Sequence, residues 1–160
     1  EVGADKGMAE WFDATCSNIR VQLAKDGEEA QAGTVYMAPA DRHLLIDYVK
    51  SNGRPVLRIS DEAPERFLRP AVNKLFCSAA QAYKKACLAV LLTGMGRDGA
   101  QGCKEICAHG GWTIAEDKST CAVFGMPAAA IELGAACEVL PRGSIAARVR
   151  ALAEPARGGA

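Results

Sequence analysis

The sequence predicts a three-layer α/β/α domain, doubly wound, with a mainly parallel sheet and one antiparallel hairpin. Three observations lead to that class. From residue 87 onward, short apolar runs alternate with helical patterns, the order produced by right-handed βαβ crossovers. The run Cys87-Leu88-Ala89-Val90-Leu91-Leu92 is apolar without alternation, as in a central parallel strand covered by helices on both faces. Earlier in the chain, Asn52-Gly53 lies between two strand-like segments and marks a tight hairpin turn.

In chain order, Met8, Trp11, Phe12 and Thr15 or Cys16 recur at helical spacing and predict a first helix with one core-facing stripe. Two short strands, Ile19 to Leu23 and Thr34 to Met37, flank an acidic, glycine-containing connection. His43 to Val49 and Pro55 to Ile59 form the hairpin. Pro70 opens a helix whose Val72, Leu75, Phe76 and Ala79 share a face. After the central strand, Gly99 to Ala108 is helical, with Cys103, Ile106 and Cys107 inward, and His109-Gly110-Gly111 stops it. Strands at Gly111 to Ala115 and Cys137 to Leu140 bracket a short Ala-rich helix near Ala128 to Leu133. Ser144 is placed as the cap of a last helix carrying Ile145, Val149 and Leu152. The expected organisation is one domain over 1–154 and a loose tail over 155–160.

A chain of 160 residues that is 49% hydrophobic and 24% charged is long and apolar enough for one real core. Nineteen basic and nineteen acidic residues balance, so no global field gathers nucleic acid or anionic lipid. No run approaches the roughly eighteen apolar residues of a membrane span, and the first residues lack a basic segment followed by an apolar core. A cytoplasmic protein without direct membrane insertion is expected. Seven cysteines, an odd number scattered through apolar stretches, suit reduced structural thiols. Only Cys103 and Cys107 share a helical face, and two ligands do not make a metal site, so neither metal nor cofactor is expected.

The segment with most chemistry is Thr93-Gly94-Met95-Gly96-Arg97-Asp98-Gly99-Ala100, between the central strand and a helix. Its glycines allow a sharp turn and close approach of the backbone. Two readings follow from spacing alone. Asp98 can cap the helix that follows, with Gln101 at the reciprocal capping-box position. Alternatively, Gly94, Gly96 and Gly99 match a dinucleotide-binding GxGxxG, with Glu116 or Asp117 placed for a ribose. Against the second, Asp98 would set a negative charge beside a pyrophosphate, and the motif falls late in the domain.

The stretch Leu91 to Ala100 also resembles the signature of chemotaxis protein-glutamate methylesterases, the CheB family. Three further segments agree with it. Gly33 to Leu44 is similar to a strand and loop reading VYxAPGDxHL, with Ala40 in place of glycine. Arg69 to Ala80 is similar to PSVDxLFxSAA, with Ala71 and Asn73 replacing serine and aspartate. Ala115 to Pro127 is similar to AQDxxSxxVxGMP.

The resemblance implies hydrolysis of glutamate methyl esters on the cytoplasmic helices of chemoreceptors, with possible deamidation of receptor glutamines. It makes Asp98 the third member of a Ser-His-Asp triad and Met95 the source of a backbone oxyanion contact. The family's serine, in an SxGG turn, and its histidine, in a Gln-His pair, have no counterpart in these residues. The chain alone is therefore expected to be inactive. His43 is expected to structure its loop or face the receptor, His109 to end a helix, and Ser119 to be no nucleophile. Arg42, Arg58, Arg66 and Arg69 could form a receptor-facing basic region. A phosphorylatable receiver domain commonly precedes such a domain. A catalytically silent receptor-binding or signalling relative is the alternative, and a dinucleotide-binding protein a more distant one.

Overall fold

The structure is a computed structural model that describes residues 3–154. Helix α1 (Ala4–Thr15) leads into strands β1 (Arg20–Leu23) and β2 (Thr34–Met37), which pair in parallel. The connection between them, 24–33, is not a helix. It lies along the edge of a later strand, where Gly27 N donates to Leu57 O and Leu57 N to Glu28 O, both at 2.8 Å, so its backbone groups are met without regular structure. Strands β3 (His43–Val49) and β4 (Pro55–Ser60) form the expected antiparallel hairpin, closed through Gly53 at φ 82°. Helix α2 (Val72–Tyr83) and a single 3-10 turn at Lys84–Ala86 then lead to β5 (Leu88–Leu91).

The remainder alternates as expected: α3 (Ala100–Ala108), β6 (Trp112–Glu116), α4 (Met126–Glu132), β7 (Glu138–Leu140) and α5 (Arg142–Ala153). Strands β5, β6 and β7 make one parallel sheet in that order. The mixed α/β architecture, with parallel strands and one antiparallel pair, is thus the predicted one. Its parallel strands are divided between two sheets, and no ladder joins β1–β2 to β5–β7 among the described residues.

Helix α2 connects the two halves because its faces point opposite ways. Leu75 packs with Ala24, Leu44 and Leu57 against the hairpin side, whereas Val72 and Phe76 pack on Leu91 and Cys103. Removing a Leu or Ile side chain of this kind from water contributes about 2 kcal/mol. Gly102 permits the close approach of α3 to α2, since a Cβ there would lie 2.6 Å from Phe76 Cβ. Helix α3 ends as expected, with Gly110 at φ 84° and Gly111 N donating to Ile106 O.

Two local expectations change. The stripe on α1 is not core: Trp11 is 62% exposed, Met8 is exposed, and Ala9 is the buried residue. Helix α1 is held by polar ties instead, Asp13 accepting from Val21 N at 2.7 Å and Asp5 from Ala40 N at 2.8 Å. Helix α5 begins at Arg142 after Pro141, and Ser144 lies inside it with its amide on Pro141 O, so Ser144 is not the cap. The expected tail over 155–160 lies outside the described residues.

Candidate active site

The glycine loop leaves the C-terminal end of β5, the edge where parallel α/β sheets place their chemistry. It is fastened to the segment after β6. Gly94 N donates to Val123 O at 3.0 Å, and Met126 N donates to Gly94 O at 2.9 Å. Thr93 N donates to Glu116 Oε2 at 2.8 Å. Gly125 lies against the loop, and a Cβ on it would stand 2.7 Å from Gly94 O. These ties hold Met95 at the surface, 85% exposed.

Asp98 does not cap the helix that follows it. Its carboxylate reaches across to α2, accepting from Val72 N at 2.7 Å and from Asn73 N at 2.9 Å. The reason lies at the start of α2, where the N-cap is Ala71, with no side-chain oxygen to meet the first-turn amides. The α3 amides are met in return by α2: Asn73 Oδ1 accepts from Gly99 N and Gly102 N, both at 2.9 Å. The start of α2 is therefore capped from the loop that leads into α3, and the start of α3 by a side chain of α2. Gln101, expected as the reciprocal capping residue, instead contacts Glu105 on its own helix.

Asn73 extends the corner one step further. Its Nδ2 donates to Glu65 Oε1 at 2.8 Å, which an aspartate at this position could not do when ionised. Glu65 begins a tight turn in which Glu65 and Leu68 exchange both backbone hydrogen bonds. The two central residues, Arg66 at φ 47° and Phe67 at φ 70°, are left-handed, a conformation costly for a bulky side chain. Phe67 is fully exposed at the tip.

Between this turn and the glycine loop lies a cleft of about 340 Å³ lined by Glu65, Arg66, Leu68, Asn73, Met95, Gly96, Arg97 and Asp98. Asp98 is partly buried and faces it. Each carboxylate oxygen has one lone pair taken by an α2 amide and one left, so the group can accept a further hydrogen bond from the cleft. Chemically, the corner offers a fixed acceptor that can orient and stabilise a cationic donor such as imidazolium.

The other candidates lie elsewhere. His43 is fully buried; its Nδ1 faces Ala71 N and its Nε2 faces Ala63 O, each at 3.2 Å, so it structures the loop and does not face a receptor. His109 Nδ1 lies 2.8 Å from Glu105 O at the end of α3. Ser119 is exposed, with its amide on Asp117 Oδ1. None of the three lines the cleft. The expected basic region disperses: Arg42 pairs with Asp61, Arg58 with Glu62 and Arg69 with Asp41, leaving Arg66 and Arg97 at the cleft.

The dinucleotide reading fails on geometry. The Gly99 and Gly102 amides at the start of α3 are occupied by Asn73, and of the two residues placed for a ribose, Glu116 is 1% exposed with its oxygens on Thr93 N and Thr120 Oγ1 while Asp117 accepts from Ser119 N. Among the described residues, no group of three His, Cys, Asp or Glu could hold a metal, and no helix is long and apolar enough to cross a membrane.

Residues 1–149 match the family described as CheB methylesterase. The chain belongs to that family. It is 46% identical over 150 residues to a protein-glutamate methylesterase/protein-glutamine glutaminase of Anaeromyxobacter dehalogenans, covering 94% of this chain and 42% of that protein. A relative of the same description from Symbiobacterium thermophilum is 44% identical over 153 residues, 95% of this chain and 41% of that one. The chain thus spans well under half the length of these curated relatives. The CheB methylesterase catalytic domain of Thermotoga maritima superposes with a TM-score of 0.88 at 42% identity, covering 94% of this chain and 78% of that one.

Of the residues that the sequence singled out, Asp98 and Met95 both line the cleft. The role of Asn73, which joins loop, helix and turn, was not visible in the sequence, where Asn73 stood out only as a departure from the family pattern. Nor was Glu116 visible as the clamp of the glycine loop. A carboxylate closing the strand-like segment Trp112 to Ala115 was the available signal.

Proposed function

We propose that this chain forms the aspartate-bearing part of a domain that hydrolyses glutamate methyl esters on the cytoplasmic helices of chemoreceptors, and deamidates receptor glutamines by the same acyl chemistry. The observation that carries the reading is Asp98, fixed by two backbone amides and open to a cleft at the end of a parallel strand. The names of the relatives supply the substrate type.

In this mechanism a serine and a histidine come from outside the cleft lining described above. The serine oxygen attacks the ester carbonyl while the histidine takes its proton and later delivers it to methanol. Asp98 accepts from the far nitrogen of that histidine, selecting its tautomer and stabilising the cation that forms. The Met95 amide contributes to holding the oxyanion. Water then repeats the attack and frees the glutamate. The reading also includes a cytoplasmic location and regulation by an upstream receiver domain.

Methanol and ammonia release from methylated or glutamine-bearing receptor helices tests the proposal. This chain alone releases neither; a form of the domain that also carries the serine and histidine releases both. In that form, Asp98→Asn lowers kcat by about a thousandfold or more. Turnover within about twofold of wild type in that variant would overturn the assignment. Receptor binding by the serine- and histidine-bearing form without any turnover would favour a silent binding relative.

A further inference from the structure

The N-terminal edge of the β5–β6–β7 sheet, opposite the Asp98 cleft, carries a second cluster of reactive groups. Cys107 on α3 was expected to share a helical face with Cys103, and Cys103 feels the charge of both Cys107 and Cys137. The Cys107 Sγ lies 3.6 Å from Sγ of Cys137, which immediately precedes β7. The thiols are arranged around one hydroxyl: Thr113 Oγ1 is 3.3 Å from Cys107 Sγ and 3.4 Å from Cys137 Sγ. That hydroxyl is itself fixed, donating to Ala135 O at 2.6 Å and accepting from Cys137 N at 3.0 Å. Thr113 is fully buried on β6, so the cluster has a rigid floor.

The two sulfurs differ in environment. Cys137 is exposed, whereas Cys107 is half-buried. Burial opposes ionisation of both. At Cys137, the contacts with Thr113 and Cys107 outweigh it and hold the thiol below its ordinary range. At Cys107 burial prevails and pushes the thiol up. The exposed sulfur is therefore the better thiolate, and the half-buried one stands beside it in the position of a resolving thiol. The sulfurs need to approach by about 1.6 Å to reach a disulfide bond length.

We propose that Cys107 and Cys137 form a redox modification site, at which a hydroperoxide oxidises the pair to an intrachain disulfide that a dithiol reduces again. The Cys137 thiolate attacks one peroxide oxygen. The O–O bond breaks, the leaving hydroxide or alkoxide takes up a proton, and Cys137 becomes a sulfenic acid. Cys107 sulfur then attacks the Cys137 sulfur. The S–S bond forms as the S–O bond breaks, and the hydroxyl leaves as water with the Cys107 proton. The two thiols supply two electrons, the peroxide accepts them, and a dithiol later returns them by exchange. Because the pair lies at the sheet edge remote from Asp98, the bond ties α3 to the start of β7 without entering the cleft.

The whole chain, fully reduced, is treated with hydrogen peroxide in small molar excess, and remaining thiols are alkylated under denaturing conditions before peptide mapping. The expected result is a fall from seven free thiols to five. One linked peptide pair should contain Cys107 and Cys137, and dithiothreitol should restore all seven thiols. In Cys107→Ser, Cys137 should instead proceed to sulfinic acid, and in Cys137→Ser, Cys107 should remain alkylatable. The proposal is overturned if wild-type Cys107 and Cys137 are both alkylated at a dose that oxidises other cysteines. It is equally overturned if Cys137 becomes sulfinic acid while Cys107 stays free, or if either links to a different cysteine. The wild-type map decides the matter even where a serine variant fails to fold.

Discussion

Replacing Asp98 with alanine removes the acceptor for two helix-start amides, those of Val72 and Asn73. A hydrogen bond to an ionised acceptor contributes about 1.5–3 kcal/mol, but this site is only partly buried and water can serve the freed amides in part. The expected cost is about 2 kcal/mol, the upper range for loss of a helix cap. Asn73→Ala should cost about 2–3 kcal/mol, because it frees the buried amides of Gly99 and Gly102 and leaves Glu65 without its donor. The two substitutions are not independent. Asp98 binds the amide of the residue whose side chain caps the helix following Asp98, so loss of either loosens the other. The double variant should therefore fall short of additivity by about 0.5–1 kcal/mol. Urea unfolding of the four proteins measures all three quantities, and each single variant should melt about 4–12 °C lower for a chain of this size. An Asp98→Ala unfolding midpoint equal to wild type, or strict additivity in the cycle, would refute the reciprocal cap.

Phe67→Gly should stabilise the fold by about 0.5 kcal/mol, because relief at φ 70° exceeds the added entropy of a glycine in the unfolded chain; a lower melting temperature would count against strain in this turn. The acid limb of stability should depend on Glu29, whose carboxyl is held below its usual range first by the hydrogen bond from Lys50 and then by that from Asn52. A depressed folded value means that this stabilisation is present above the unfolded value, near 4.5, and lost as pH falls through the lower folded one. The urea midpoints of wild type and Glu29→Gln should accordingly differ at pH 7 and converge in acid, and a gap that stays constant with pH would sink the assignment.

The sequence by itself determined the elements and the loop that matters. The order of helices and strands from residue 87 onward, the hairpin at Asn52-Gly53 and the stop at Gly110 were legible because each depends on contacts within a few residues: apolar periodicity, or a backbone angle that glycine adopts without cost. Asp98 and Met95 were legible for a similar reason, since the loop carrying them is a compact pattern. Tertiary structure decided which groups these residues meet. Asp98 finds its amides 26 and 25 residues earlier in the chain, Asn73 reaches forward by 26 and 29, and Cys107 meets a sulfur 30 residues away. Spacing could place a carboxylate at a helix start, but it could not say that the helix was α2, because that follows from two helices packed close enough to exchange caps. The stripe on α1 failed as a core signal on the same ground: its period makes a helix, while the depth of Trp11 depends on what the rest of the chain lays against it.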